Sequence, residues 1–258
     1  MTDHAISADG TRIAFDLLGD GPPLVLVAGM FCDRRATGDL AKALAGDFTV
    51  VNYDRRGRGD SGDTLPYAPE REVEDIAALI AAAGGGASVY GHSSGASLAL
   101  NAAAAGLPVD RLVLHEPPYG ADDDESRAHA RELADRVAAA IADDRPADAI
   151  RAFMASTGMP DEMATGISAD PSMQAIAPTM PYDHAVVGHD GTIPVDRARA
   201  ITAPTLVLAG DGSAPFFRDT AARLGEIIPD ARVQTLEGVG HDAPPDAITG
   251  PVTAFLKP

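Results

Sequence analysis

Short apolar runs and longer amphipathic stretches alternate through the first part of the chain. Residues 5–7 and 11–18 read as two strands turning at Asp9-Gly10, a hairpin signal. Residues 24–28 form a continuous apolar run, the mark of a strand buried on both faces. Residues 48–53 and 111–115 have the same character. Residues 34–45 read as a helix. So do residues 70–83, where Ile76, Leu79 and Ile80 fall at helical spacing and Gly84-Gly85-Gly86 is the stop. A strand through Val89-Tyr90 runs into an Ala-rich helix that continues to about residue 105. Strand and helix therefore alternate repeatedly, the order of a parallel sheet with helices on both faces.

The alternation stops at residue 121, and no strand pattern is visible from there to residue 196. Residues 124–142 read as a charged, Ala-rich helix, and 146–157 as a second with Pro146 in its first turn. Shorter helical pieces are expected at 160–167 and 171–177. Five of the seven methionines fall here: Met154, Met159, Met163, Met173 and Met180. Methionine is flexible and polarisable, so a helical unit with an apolar underside is expected, packed on the core and in part roofing a substrate pocket. Phe153, Tyr182, Phe216 and Phe217 are the expected pocket neighbours. A strand at 204–209, a helix at 215–228, a strand at 232–236 and a helix at 247–256 complete the chain. The expected organisation is an α/β core of residues 1–120 and 197–258, with a helical lid at 121–196.

At 258 residues and 45% hydrophobic, the chain can bury a sizeable core. It has no Trp, so aliphatic packing carries most of that core. The formal net charge of −18 argues against nucleic acid and anionic membrane surfaces as partners. The single cysteine, Cys32, excludes an internal disulfide and reads as a small buried hydrophobe. The N-terminus lacks the basic and apolar regions of a signal peptide. No apolar run approaches the roughly 18–20 residues of a membrane span. These features suggest a cytoplasmic protein, monomeric or homodimeric. There is no H-E-x-x-H, paired Cys-x-x-Cys, Walker loop or dinucleotide fingerprint, so neither metal nor cofactor is expected.

The candidate chemistry centres on Gly91-His92-Ser93-Ser94-Gly95, which fits the nucleophile elbow G-x-S-x-G between a strand and a helix. The two glycines let strand and helix close around the turn. The helix that follows aims its free N–H groups at whatever Ser93 attacks. With Tyr53-Asp54-Arg55-Arg56-Gly57-Arg58-Gly59-Asp60-Ser61, the run from Pro204 to Gly210, and Gly238-Val239-Gly240-His241, the chain resembles the α/β-hydrolases over nearly its whole length. The resemblance implies a mostly parallel eight-stranded sheet, a lid after the sixth strand, and a triad in the order Ser, acid, His. Ser93 is then the nucleophile and His241 the base. His92 is expected in packing, His115 ends a strand, and His4, His129, His184 and His189 are expected at the surface or in the lid.

The acid has two candidates. The usual position, three residues beyond the glycine that ends the seventh strand, is Ser213, and Asp211 lies nearby. The sixth strand instead ends in His115-Glu116-Pro117-Pro118. This stretch and Ser93-Ser94-Gly95-Ala96-Ser97 are similar to the lactonases that open the macrolide zearalenone, in which the acid follows the sixth strand. Glu116 is therefore the expected acid and Asp211 the alternative. The oxyanion hole implied by the resemblance is the N–H of Ser94 with that of Met30. The arginines of residues 54–61 are expected to pair with local carboxylates; the alternative is that they read an acidic substrate. The implied activity is hydrolysis of a small apolar ester or lactone through an acyl-enzyme on Ser93. Perhydrolysis and carbon–carbon hydrolysis by the same triad, or a catalytically weak binding protein of the same shape, are the alternatives. Ser93 argues against haloalkane dehalogenases and epoxide hydrolases, which place a carboxylate at the elbow.

Overall fold

The computed structural model describes residues 2–257. Eight strands form one sheet: β1 Thr2–Ile6, β2 Arg12–Leu18, β3 Pro23–Val27, β4 Thr49–Tyr53, β5 Ala87–His92, β6 Val109–His115, β7 Thr205–Gly210 and β8 Ala231–Leu236. Their order across the sheet is β1-β2-β4-β3-β5-β6-β7-β8. β1 and β2 pair antiparallel, β2 and β4 likewise, and every other pairing is parallel. β3 lies between β4 and β5, so the chain changes direction across the sheet there. A crevice opens beyond the carboxyl ends of strands at such a reversal, and Gly29, Met30 and Ser93 sit at those ends.

The residues of each central strand divide by parity between two cores, as a pleated strand requires. Val25, Val27, Val89, Leu112 and Leu114 face α2 (Pro69–Ala82), α3 (Ser94–Ala104) and α10 (Pro215–Ile227). Leu24, Leu26, Tyr90, Val113 and Leu208 face α1 (Gly38–Leu44) and α11 (Pro245–Leu256). The short runs read as strands are thus buried on both sides.

Between β6 and β7 the chain is helical, with no strand among the described residues. It forms α4 Asp124–Ala142, α5 Pro146–Ser156, α6 Asp161–Ser168, α7 Pro171–Ile176, a 3-10 turn at Ala177–Thr179, α8 Met180–Val187 and α9 Val195–Arg199. The Asp123 carboxylate caps α4 by accepting the Ser126 N–H at 2.8 Å. Pro sits in the first turn of α5, α7 and α8, where its missing N–H costs nothing. Val137, Ile150, Met154 and Met180 form a third apolar cluster, on which Met30, Phe31, Phe153 and Met173 pack. Met163 is different: it is 57% exposed and belongs to no underside.

Three differences from the sequence reading have local causes. The helix expected from residue 34 begins at Gly38: the preceding residues close tight turns instead, the Ala36 N–H donating to the Asp33 carbonyl at 3.1 Å and the Gly38 N–H to that of Arg35 at 3.2 Å. β1 starts at Thr2 although its first three residues are polar, since only Ala5 faces the core. α8 was not anticipated because one of its three buried positions is a charge, Asp183, between Met180 and Val186. Among the described residues no helix is long and apolar enough to cross a membrane.

Candidate active site

Ser93 occupies the turn from β5 to α3 with φ 56° and ψ −128°. Such a conformation is costly for a residue with a Cβ and persists only where its surroundings over-determine it. Here a Cβ on Gly91 would lie 2.4 Å from the Gly95 carbonyl oxygen, and one on Gly95 would lie 2.3 Å from that of Val27. The turn is therefore closed tightly, and the Ser93 N–H is tied to the His115 carbonyl at 2.9 Å. Ser93 is partly exposed. Among the described residues its hydroxyl makes no hydrogen bond.

Positive φ recurs at this end of the sheet. Among the described non-glycine residues, only Phe31, Ser93, Glu116 and Asp144 adopt it. Phe31 follows Met30, and Glu116 follows β6. Glu116 is fully buried. Its Oε1 accepts the Gly210 N–H at 2.7 Å, and its Oε2 lies 2.5 Å from His241 Nδ1. Burial alone raises the carboxyl, but the hydrogen bonds from His241 and Gly210 outweigh it and hold Glu116 below the ordinary carboxylate value. A carboxylate only accepts, so His241 Nδ1 carries the proton and Nε2 is left as the basic nitrogen.

Asp211 does something else. It is exposed, and its Oδ1 accepts the Gly238 N–H at 2.7 Å, bracing the loop that carries His241. The structure brings Glu116 and His241 together and leaves Asp211 off the ring.

His241 is one-third exposed and held in a stack. Phe217 lies against one side at a centroid distance of 4.5 Å and 17°. His92 is 4.6 Å away, and its Nε2 donates to the His241 carbonyl at 3.0 Å. Burial, with the neighbouring His241 second, pushes the His92 pKa down to about 4, so its ring is neutral near pH 7. His92 is thus a wall of the His241 site as well as packing. His115 is buried, with Nδ1 bonded to the Tyr90 hydroxyl at 2.7 Å.

Gly29 faces the same point. A Cβ on it would lie 3.0 Å from Ser93 Cβ and 3.6 Å from Ser93 Oγ. Among the described residues neither the Met30 nor the Ser94 N–H has a protein acceptor, so both donors are available. Phe31 meets Phe153 edge-on at 5.6 Å, which brings α5 down to this loop. Phe216 is 41% exposed and lies beside Phe217. Tyr182 is engaged elsewhere: it stacks on Tyr67 at 3.7 Å and donates to Asp63. Cys32 is only partly buried, and burial raises its thiol pKa, so it is not an activated nucleophile.

The arginines of residues 54–61 are buried and paired. Arg55 bonds Glu72 and Asp183, Arg56 bonds Asp75 and Asp9, and Arg58 bonds Asp183. Asp183 itself was missed in the sequence. Burial opposes its charge, yet Arg58 and Arg55 hold its pKa at about 2. Nothing in Met180-Pro181-Tyr182-Asp183-His184 marks it as a site residue; the one signal available was a charge at a spacing otherwise apolar. Among the described residues no group of three or more His, Cys, Asp or Glu side chains is arranged to hold a metal ion.

Comparison with known proteins fits this geometry. Residues 24–249 match the model of the Alpha/beta hydrolase family. The chain is 32% identical to the N-formylmaleamate deformylase of Pseudomonas putida, covering 97% of this chain and 93% of that protein. It is also similar to the crystal structure of an alpha/beta hydrolase from Sphaerobacter thermophilus, with 47% identity, a TM-score of 0.88, and 99% and 100% of the two chains covered. The esterase RhEst1 from Rhodococcus sp. is 26% identical with a TM-score of 0.72, covering 98% of each chain.

Proposed function

The chain belongs to the alpha/beta hydrolase family, and on that premise we propose that it is a serine hydrolase cleaving a carboxylic ester or lactone with an apolar acyl group. The main support is the 2.5 Å contact of His241 Nδ1 with the buried Glu116, at the strand ends where Ser93 stands in its strained turn. The Ser93 hydroxyl attacks the acyl carbon while His241 Nε2 takes its proton. Glu116 fixes the imidazole tautomer and stabilises the imidazolium. The N–H groups of Met30 and Ser94 receive the developing oxyanion. His241 returns the proton to the leaving alkoxide. It then activates the water that releases the acid, which regenerates Ser93. Hydrogen bonds of this kind are often unformed before substrate binds, as with the Ser93 hydroxyl here.

Residues 121–196 act as the lid in this reading. Their apolar cluster carries Met154 and Met180 and packs on Met30 and Phe31, beside the reacting centre. The buried arginines are already neutralised by carboxylates, which favours an apolar acyl group over an anionic one. An amide is the second reading, because the Pseudomonas putida relative is named for removing an N-formyl group.

A p-nitrophenyl ester and a p-nitroanilide sharing one medium-chain acyl group, assayed with a lactone of similar size, separate these readings. The ester and the lactone are expected to turn over well above the anilide. Preference for the anilide would replace the ester assignment with the amide one.

A further inference from the structure

We propose that Arg58, held by Asp183 of α8, is a positioning residue for the oxyanion hole, acting through the peptide that joins Gly29 to Met30. The proposal rests on the assignment of the Met30 and Ser94 N–H groups made above. Arg58 is 2% exposed. One of its terminal nitrogens donates to the Gly29 carbonyl at 2.7 Å and to the Cys32 carbonyl at 3.3 Å. The other donates to Asp183 Oδ2 at 2.6 Å, and Nε donates to Thr179 Oγ1 at 3.1 Å. Each of its three nitrogens is therefore bonded, so the guanidinium plane is fixed.

The geometry of the peptide gives that bond a consequence. In a trans peptide the C=O and the N–H point in opposite directions within one plane. A cation on the Gly29 oxygen therefore fixes the plane and turns the Met30 N–H to the side opposite the guanidinium. It also draws electron density from the amide. Hydrogen bonds in series polarise one another, which makes that N–H a stronger donor. Arg55 does the same less directly at the preceding peptide, donating to the Ala28 carbonyl at 3.3 Å.

Asp183 ties the second donor to the first. Its Oδ1 accepts the Ser94 hydroxyl at 2.7 Å, while its Oδ2 holds Arg58. One buried carboxylate thus fixes the residue that carries one oxyanion N–H and the arginine that orients the other. This carboxylate comes from the helical insertion, 125 residues from Arg58 in sequence. The insertion therefore contributes to the chemical step as well as to the pocket roof. A buried ion pair built only for stability has no need to end on the carbonyls of Gly29 and Cys32.

The test compares an oxygen ester with its thionoester, in which C=S replaces C=O, in wild type and Arg58→Met. Oxyanion donors favour the oxygen ester. Removing a direct oxyanion donor costs about 100- to 1,000-fold in kcat, so a residue acting one peptide away is expected to cost about 10- to 100-fold. Arg58→Met is expected to lose that factor on the oxygen ester with KM nearly unchanged. Its thionoester rate should fall less, so the oxygen-to-sulfur ratio shrinks. Asp183 keeps Arg55 as a partner in this variant. If Arg58→Met does not fold, Asp183→Asn keeps the shape and the Ser94 acceptor but removes the charge that holds Arg58. It should shrink the ratio in the same direction. Equal losses on both substrates, or an unchanged ratio in a folded variant, would overturn the proposal. A wild type without Ser93-dependent turnover would instead remove the serine-hydrolase reading beneath it.

Discussion

Two carboxylates flank the loop that carries His241, and only one of them touches the ring. Glu116 is buried, backbone-strained and bonded to Nδ1; Asp211 is exposed and braces Gly238. Glu116→Gln presents an amide that can no longer hold the imidazolium or enforce its tautomer. Its kcat is expected to fall about 1,000- to 10,000-fold, whereas Asp211→Asn keeps an oxygen for the Gly238 N–H and should stay within about threefold. Steady-state hydrolysis of one ester by both variants checks this, and the reverse ranking contradicts the assignment. At this scale the sequence was legible wherever residues adjacent in the chain carried the pattern: Gly91 to Gly95, His115 to Pro118, Gly238 to His241. It was silent on Asp183, whose meaning depends on two arginines more than a hundred residues away.

The elbow is the element that depends most strictly on its residue types. α3 lies so close to β5 at Gly91, and to the end of β3 at Gly95, that a methyl group at either must displace backbone. Gly95→Ala would drive its Cβ into the Val27 carbonyl at the end of β3, beside the Gly29 turn. The overpacking is expected to cost about 3 kcal/mol, at the upper end of such effects. Urea denaturation measures it, and an undiminished midpoint would show that the backbone there yields to the added methyl group. The core strands were readable because they are short, apolar and buried on both faces. α8 was not readable, because burial there is shared by Met180, Asp183 and Val186, and the charge interrupts the apolar spacing. The residue 34–37 turn was missed because an acidic cap such as Asp33 reads the same in sequence whether the turns behind it close over three residues, as here, or over four.

Taken as a whole, the molecule assembles its candidate site from every part of the chain. The loop after β3 supplies Met30, the turn after β5 supplies Ser93, the end of β6 leads into Glu116, and the loop after β8 supplies His241. The insertion between β6 and β7 adds an apolar cluster above and an ionic anchor in Asp183. The formal charge is −18, and among the described residues the buried Arg55, Arg56 and Arg58 are each paired with carboxylates. The order of strands and helices made this architecture legible, while the long-range pairing of the insertion with the core was not, since it follows no local period. This convergence is expected to activate Ser93. Treatment of the folded protein with a fluorophosphonate, followed by mass spectrometry of the adduct and with Ser93→Ala as control, reads that activation. Labelling confined to Ser93 and absent from Ser93→Ala is the expected result; no labelling, or labelling at another residue, would contradict it.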